Sequence, residues 1–450
     1  MEPISAKVLL EGLCPGEDIS VTGVVTDSRK VIPGCVFVCF PGARVDGHDF
    51  ARECYDKGAA YIVVNRILDG IPEDRQILVA DSRIAMLKMG ANYRKCFSST
   101  LIGVTGSVGK TTTKEFTYAI LSEFGPAIKT EGNQNNEIGV PNTLFRLDSA
   151  TRYGVVEMGM SHAGEIAALV DAVRPQGGLI TCIGVSHIEN LGSRGNILKA
   201  KMEICKGLPQ GAPLALNRDD PYLAGAQIPE HIHPVWYGID DPAAQVRAVN
   251  IKTQGQGQSF TLLHEGAGEF QVYIPTLGRH TVYDALAAYA AATGLGLDPA
   301  RCAQALSRYQ STGMRQRLVI RKGVSVVEDC YNASPDSMKA ALSMFLEIPG
   351  RRHVALLGDM LELGQISQQA HRQVGEMAAQ AGVDLLVAYG PLSEEMARSA
   401  REQGLEAIHC LDKEEAARIL CQNLEPGDAL LAKASRGTAL EEILALYYEQ

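Results

Sequence analysis

The stretch from Ile102 to Lys114, Ile-Gly-Val-Thr-Gly-Ser-Val-Gly-Lys-Thr-Thr-Thr-Lys, leaves this chain few folds to choose from. Leu101, Ile102, Val104 and Thr105 make a short, largely β-branched run of the kind that forms a buried strand. Gly106 and Gly109 follow, then Lys110 and Thr111, then an amphipathic run from Glu115 to Phe124. Strand, glycine loop and helix in that order are the parts of a phosphate-binding βα unit. The glycines let backbone N–H groups approach an anion, and the helix points its positive end at the same spot. Lys110 then reaches the terminal phosphates, and the Thr111 hydroxyl suits a magnesium ion. Gly106, Ser107, Val108, Gly109, Lys110, Thr111 and Thr112 are therefore candidate contacts for ATP. Val104 stands where the general pattern, Gly-x4-Gly-Lys-Ser/Thr, has its first glycine.

The surroundings of this loop predict an α/β protein. The length, 450 residues, fits about three domains, and an apolar content of 46% can supply a core for each. Residues 1–97 read as a small α/β domain with strands at 21–25, 36–40 and 61–64 and a helix over 50–57. Residues 98–310 alternate strands at 101–105, 153–158, 178–183, 213–217 and 233–237 with helices at 110–124, 164–173 and 196–208. That alternation is the mark of a parallel sheet covered on both faces, with ligands at the carboxyl ends of its strands. The segment 251–276 reads as an antiparallel hairpin and 284–292 as an Ala-rich helix. Residues 311–450 form a third, Rossmann-like unit. Its strands are expected at 318–321, 324–328, 353–357, 385–388 and 429–432, and its helices at 335–345, 367–381, 394–403 and 440–448. Hinges are expected near 96–100 and 308–314.

Further candidates sit at strand ends. Glu157 is placed to hold a metal ion beside the phosphate loop, or else is a solvated strand-end carboxylate. The loop 130–141 is rich in amides, with Asn133, Asn135 and Asn136 suited to sugar or peptide groups. His187 follows a strand and is either a second metal ligand or structural. Lys201 on its helix reads as a solvated charge. Asp329 suits ribose hydroxyls, Arg315 suits phosphate, and Lys433 and Arg436 suit a carboxylate. In the first unit, Ser28 and the stretch 40–48 fall in loops after strands.

Charge and composition exclude several classes. A net charge of −10 argues against general nucleic-acid binding. Eleven cysteines with no Cys-x-x-Cys pair read as reduced, mostly buried thiols. No basic-then-apolar leader and no apolar run near 18 residues is present, so a cytoplasmic protein without a membrane span is expected.

Seven pieces together resemble the Mur ligase family over nearly the whole chain. They are Thr-Gly-Ser-Val-Gly-Lys-Thr-Thr-Thr-Lys from Thr105, Asn-Gln-Asn-Asn-Glu-Ile-Gly-Val-Pro from Asn133, Glu-Met-Gly-Met from Glu157, Ser-His-Ile-Glu-Asn-Leu-Gly-Ser from Ser186, Ala-Lys-Met-Glu-Ile from Ala200, Asp-Cys-Tyr-Asn-Ala-Ser-Pro-Asp-Ser-Met from Asp329 and Leu-Gly-Asp-Met-Leu-Glu-Leu-Gly from Leu357. The resemblance implies an ATP-dependent amide ligase that adds D-alanyl-D-alanine to UDP-N-acetylmuramoyl-tripeptide through an acyl phosphate. It implies a UDP-substrate-binding first domain, a central ATP-binding domain, and a third domain bringing the dipeptide and part of the nucleotide site. By the same resemblance Thr111 and Glu157 match ligands of one Mg²⁺. His187 and a carbamylated Lys201 match ligands of a second. Arg315 and Asp329 match γ-phosphate and ribose contacts, and Ser28, Asn135, Asn136, Asn332, Lys433 and Arg436 are assigned to the substrates. A monomer is expected. The chain departs from the family at His280-Thr281-Val-Tyr-Asp284-Ala, where His-Asn-x-x-Asn-Ala is usual, so Thr281 stands where an adenine-contacting Asn is expected. Another amide ligase of the same superfamily, and a nucleotide-controlled binding module, are the alternatives.

Overall fold

The computed structural model describes residues 1–13, 19–42, 45–311, 313 and 315–449. Ala43 and Arg44 of the stretch 40–48, and Thr312 and Met314 of the expected hinge 308–314, lie outside the described residues. The fold is α/β in three units, each with its own parallel-sheet core.

In the first unit Val24–Val25, Val36–Val38, Tyr61–Val64 and Gln76–Leu78 pair in parallel in that order. The single strand expected over 21–25 is broken. Ser20–Val21 pairs antiparallel with Ile4–Ser5, while Val24–Val25 pairs with Val36–Val38. Thr22 is the cause: its amide and hydroxyl donate to Gly34 O at 3.1 Å and Pro33 O at 2.7 Å, both in a loop. The helix Ser82–Arg94 was not expected, although Asp81 ahead of it is a start signal whose carboxylate accepts from Arg83 N at 2.7 Å.

The central sheet runs, edge to edge, Gly268–Ile274, Gly257–His264, Val246–Gln254, Ile232–Gly238, Ala212–Asn217, Gly177–Ile180, Thr100–Thr105, Tyr153–Glu157, Ala127–Lys129. The first two pairings are antiparallel and the rest parallel. The expected hairpin is thus three strands, beginning at Val246. Thr100–Thr105 sits between Tyr153–Glu157 and Gly177–Ile180, and the chain leaves it on one side before returning on the other. That is the switch point at which open parallel sheets bind ligands. The helix Arg279–Gly294, longer than expected, lies buried against the helix Lys110–Phe124, its alanines permitting close approach. The helix expected over 196–208 ends at Lys201 and goes on as the 3₁₀ turn Met202–Gly207.

The third sheet runs Arg317–Arg321, Val324–Asp329, Ala429–Lys433, His353–Gly358, Leu385–Tyr389, Ala407–Cys410, with the first pair antiparallel and the rest parallel. The strand Ala407–Cys410 and the helix Lys413–Asn423 add an edge that the sequence reading lacked. The ten described cysteines are all free, and among the described residues no helix is long and apolar enough to cross a membrane.

The expected hinge at 96–100 is tied down. Arg94, 4% exposed, donates to the carbonyls of Val173 (2.9 Å), Phe97 (2.6 Å) and Ser99 (2.8 Å), and Ser99 Oγ donates to Thr151 O at 2.7 Å. One guanidinium thus holds the connection between the first two units to the central one, with the fork geometry of arginine. Arg94→Met leaves these carbonyls buried without a donor and is expected to lower unfolding stability by about 3 kcal/mol. Arg94→Lys is expected to recover only part of it. Urea denaturation followed by circular dichroism measures both.

Candidate functional site

The strand Thr100–Thr105 delivers the chain into a loop that only glycine permits at two points. Gly106 has φ 149°, and a Cβ there would collide with the Thr181 side chain. Thr181 Oγ1 donates to Val108 O at 2.5 Å, and Ser107 N to Cys182 O at 3.0 Å, so the neighbouring strand end braces the loop. Gly109 has φ 85° and begins the helix Lys110–Phe124, with the Asp284 carboxyl in the space of its missing Cβ. Ser107, Val108, Gly109, Lys110 and Thr112 line a cavity of about 810 Å³. Lys110 Nζ folds back onto Gly106 O at 2.9 Å. Burial lowers its pKa below the ordinary lysine range.

Beside the loop, Glu157 ends its strand fully buried. Its two oxygens accept from Thr111 Oγ1 (2.9 Å) and Asn135 Nδ2 (2.8 Å). Thr111 and Glu157 thus bring two oxygen donors together at the helix start, as a magnesium ion requires. Asn136 Oδ1 accepts from Ile138 N and Gly139 N at the start of the helix Gly139–Leu144. The amide-rich loop is therefore both a turn and part of the cavity wall, because Asn133, Asn135 and Asn136 line it.

His187 also lines the cavity, in the left-handed conformation (φ 62°), with Nδ1 2.7 Å from Glu362 Oε2 of the third unit. Burial, and then the charge of Lys110, lower its pKa and so favour the neutral ring. Lys201, expected from sequence alone to be a solvated charge, is 2% exposed. Burial first, then Lys110, hold its pKa well below the ordinary value. No hydrogen bond or ion pair to its amine is present among the described residues.

The third unit closes the cavity with Arg315, Asp329, Tyr331, Asn332 and Lys433. The Arg315 guanidinium lies 4.2 Å from the Tyr331 ring centroid. Asp329 and Lys433 bind each other instead of each standing free for a ligand: Lys433 Nζ donates to Asp329 Oδ2 at 2.6 Å and to Asn332 O at 2.9 Å. Among the described residues, the first unit reaches the cavity through Asp81, Arg83, Ile84 and Leu87 around the start of the unexpected helix.

Three candidates fall elsewhere. Ser28 begins a 3₁₀ turn capped by Asp27, away from the cavity. Arg436 is drawn aside by an ion pair with Glu441. Thr281, assigned to adenine, is fully buried, its hydroxyl donating to Gly278 O (2.8 Å) and accepting from Gln258 Nε2 (3.0 Å). The residue of that segment that lines the cavity beside the loop is Asp284, one turn on. The sequence signal for it was the departure from the family pattern, which takes in both Thr281 and Asp284.

Comparison with known proteins follows the same division. A family model described as the Mur ligase middle domain matches residues 104–292, the Mur ligase glutamate ligase domain matches 314–436, and the Mur ligase family catalytic domain matches 20–88. The UDP-N-acetylmuramoyl-tripeptide–D-alanyl-D-alanine ligase of Bacillus subtilis is 36% identical over 433 residues, 95% of this chain and 93% of its own length. The crystal structure of MurF from Acinetobacter baumannii superposes with a TM-score of 0.91 at 31% identity, covering 100% of both chains. MurF of Thermotoga maritima in complex with ADP gives 0.83 at 28% identity, covering 95% of this chain and 97% of that one.

Asp284 carries a pH dependence. Burial pushes its carboxyl up to about 8, against the pull of the Thr113 hydroxyl (3.0 Å) and Arg315. The folded chain therefore keeps a proton that the unfolded chain, with a carboxyl near 3.8, gives up. Stability should fall as pH rises between those values. Above about pH 8 an anion appears beside the phosphate loop, and ADP affinity should drop by up to roughly tenfold per pH unit. Asp284→Asn is expected to flatten both profiles. Thermal unfolding from pH 5 to 8 and calorimetric ADP titration at pH 7 and 9 measure them.

Proposed function

The chain belongs to the Mur ligase family, and on that basis we propose that it joins D-alanyl-D-alanine to UDP-N-acetylmuramoyl-tripeptide, with ATP split to ADP and phosphate. The observation that carries this reading is one cavity that joins the phosphate loop to the amide-rich loop and to the Arg315 and Asp329 wall of the third unit.

A carboxylate is a poor electrophile, so the γ-phosphoryl group passes first to the terminal carboxylate of the tripeptide. The bond to ADP breaks as the acyl phosphate forms. The amine of the dipeptide then attacks the acyl carbon and phosphate leaves. The chain's part is to hold, neutralise and keep dry. Lys110 exchanges the carbonyls of its own loop for phosphate oxygens, whose negative charge favours its ammonium form. Arg315 meets the γ-phosphate from the opposite wall, kept flat against Tyr331. The Asp329–Lys433 pair borders the ribose and the dipeptide. Asn135 steadies Glu157, and Asn136 keeps its amide nitrogen for the tripeptide. The first unit holds the UDP part.

Thr111 and Glu157 fit one magnesium ion, and His187 with Lys201 fits a second if the lysine is carbamylated. Such ions supply charge neutralisation at the phosphate oxygens when bound. Burial favours the uncharged amine of Lys201, the form that reacts with CO₂. An N–C bond forms, a proton is released, and the neutral amine becomes an anion.

Phosphate release from ATP should require both the tripeptide substrate and D-alanyl-D-alanine, with a product heavier by the dipeptide. Release indifferent to either overturns the substrate assignment. Lys110→Ala is expected to lower turnover by on the order of a hundredfold or more while the UDP substrate still binds. Lys201→Ala should lose activity and partly regain it with added short carboxylates. Full activity in the bare variant removes the carbamate.

A further inference from the structure

The phosphate-loop helix carries a second buried lysine. Lys114 lies one turn beyond Lys110, and its side chain is 0% exposed. Its ammonium donates to Gly132 O at 3.1 Å, in the loop that carries Asn133, Asn135 and Asn136. It also lies 3.1 Å from Glu115 Oε1 and 3.9 Å from Glu157 Oε2. Glu115 in turn meets Lys129 at 2.5 Å, at the end of the edge strand that enters this loop. Burying an ammonium is costly unless it is paired and hydrogen-bonded, and here the partners come from separate parts of the cavity. One is the carboxylate beside the phosphate loop. Another is the backbone of the amide-rich wall. Glu157 and the loop are joined a second time through Asn135 Nδ2 (2.8 Å) and through Thr130 Oγ1, which accepts from Glu157 N at 3.0 Å.

A side chain that holds both groups at fixed separation makes the position of one depend on the other. We propose that Lys114 is a positioning residue that couples nucleotide binding at the phosphate loop and Glu157 to binding of the carboxylate substrate at the amide-rich loop. The inference rests on the cavity reading above. With Lys114 in place, a nucleotide that settles Glu157 also settles the loop, and the substrate then finds its wall already ordered. Reciprocity requires the substrate to tighten the nucleotide by the same factor.

The test uses the full chain, Mg²⁺ and a non-hydrolysable ATP analogue, titrated by calorimetry with and without UDP-N-acetylmuramoyl-tripeptide. In the unaltered protein the tripeptide should tighten the analogue by roughly fivefold or more. In Lys114→Met the factor should fall below about twofold, with the affinity for the analogue alone little changed. The double variant Lys114→Met/Glu115→Gln, which also removes the carboxylate that pairs with Lys114, should behave alike. A variant that is merely less stable but keeps the full factor overturns the proposal. So does an unaltered protein without coupling. A measurement free of any variant is amide hydrogen exchange of the unaltered chain. Mg²⁺ and the analogue alone should slow exchange across residues 130–138, and unchanged exchange there overturns the proposal. Failure of the tripeptide to bind at all instead overturns the substrate assignment, which the exchange measurement does not depend on.

Discussion

The close approach of Gly106 to Thr181 is the constraint on which the site depends. The Thr181 side chain occupies the volume of the missing Cβ and donates from its hydroxyl to Val108 O. The loop is therefore shaped from behind by the adjacent strand end, not by its own sequence alone. Once it is shaped, the helix Lys110–Phe124 has only one direction in which to leave. That direction sets Thr111 against Glu157 and Lys114 against the loop 130–138. Packing from Arg279–Gly294, whose alanines bring it against the same helix, holds the arrangement in place and inserts Asp284 beside Gly109.

The site is also one in which charge has been withheld. Burial drives Lys110, Lys201 and His187 toward their neutral forms and Asp284 toward its acid form. The causes are the same throughout: water is excluded and, for the cations, like charges are close. A polyphosphate entering this cavity reverses the balance, because it supplies the counter-charge that solvent does not. The pairs Lys433 with Asp329 and Lys114 with Glu115 are each closed by a further hydrogen bond to a carbonyl. They order the walls and leave the phosphate end to the ligand.

The first two units share a continuous apolar core, in which Met89 and Tyr93 join Val140, Leu144 and Phe145, and polar contacts fix their connection and the approach of the third. Arg94 ties the first to the second through backbone carbonyls. The third reaches the loop after Gly177–Ile180 twice, through Asp336 Oδ2 on Val185 N (3.3 Å) and Glu362 beside His187. His187 and Glu362 both hold left-handed backbone conformations without being glycine (φ 62° each), a strain that persists where surrounding contacts dictate it. The contact between units is thus made at a residue that also faces the cavity.

Legibility from the sequence follows the range of the forces involved. The strand Tyr61–Val64 and the helices Lys110–Phe124, Pro335–Phe345 and Ser367–Ala381 have the bounds read from pattern, because periodicity, caps and glycines act over a few residues. The phosphate loop, Glu157 and the amide-rich loop were legible for the same reason: their chemistry is carried by neighbours in the chain. The break at Thr22 was not, because it depends on a loop a dozen residues away. Nor were the surroundings of Thr281 and Asp284, since both lie on one helix and only distant neighbours decide where each ends: Gln258 donates to the first, and the second lies beside Gly109 with the Thr113 hydroxyl donating to it. Lys201 shows the division most sharply. As a letter in a helix it is a solvated charge, and burial beside Lys110 holds its pKa well below the ordinary lysine value. The sequence by itself determined most of the elements, the phosphate-loop motif and the family. Tertiary structure decided which side chains meet and in what charge state, because desolvation and contact between distant segments exist only once the chain has folded.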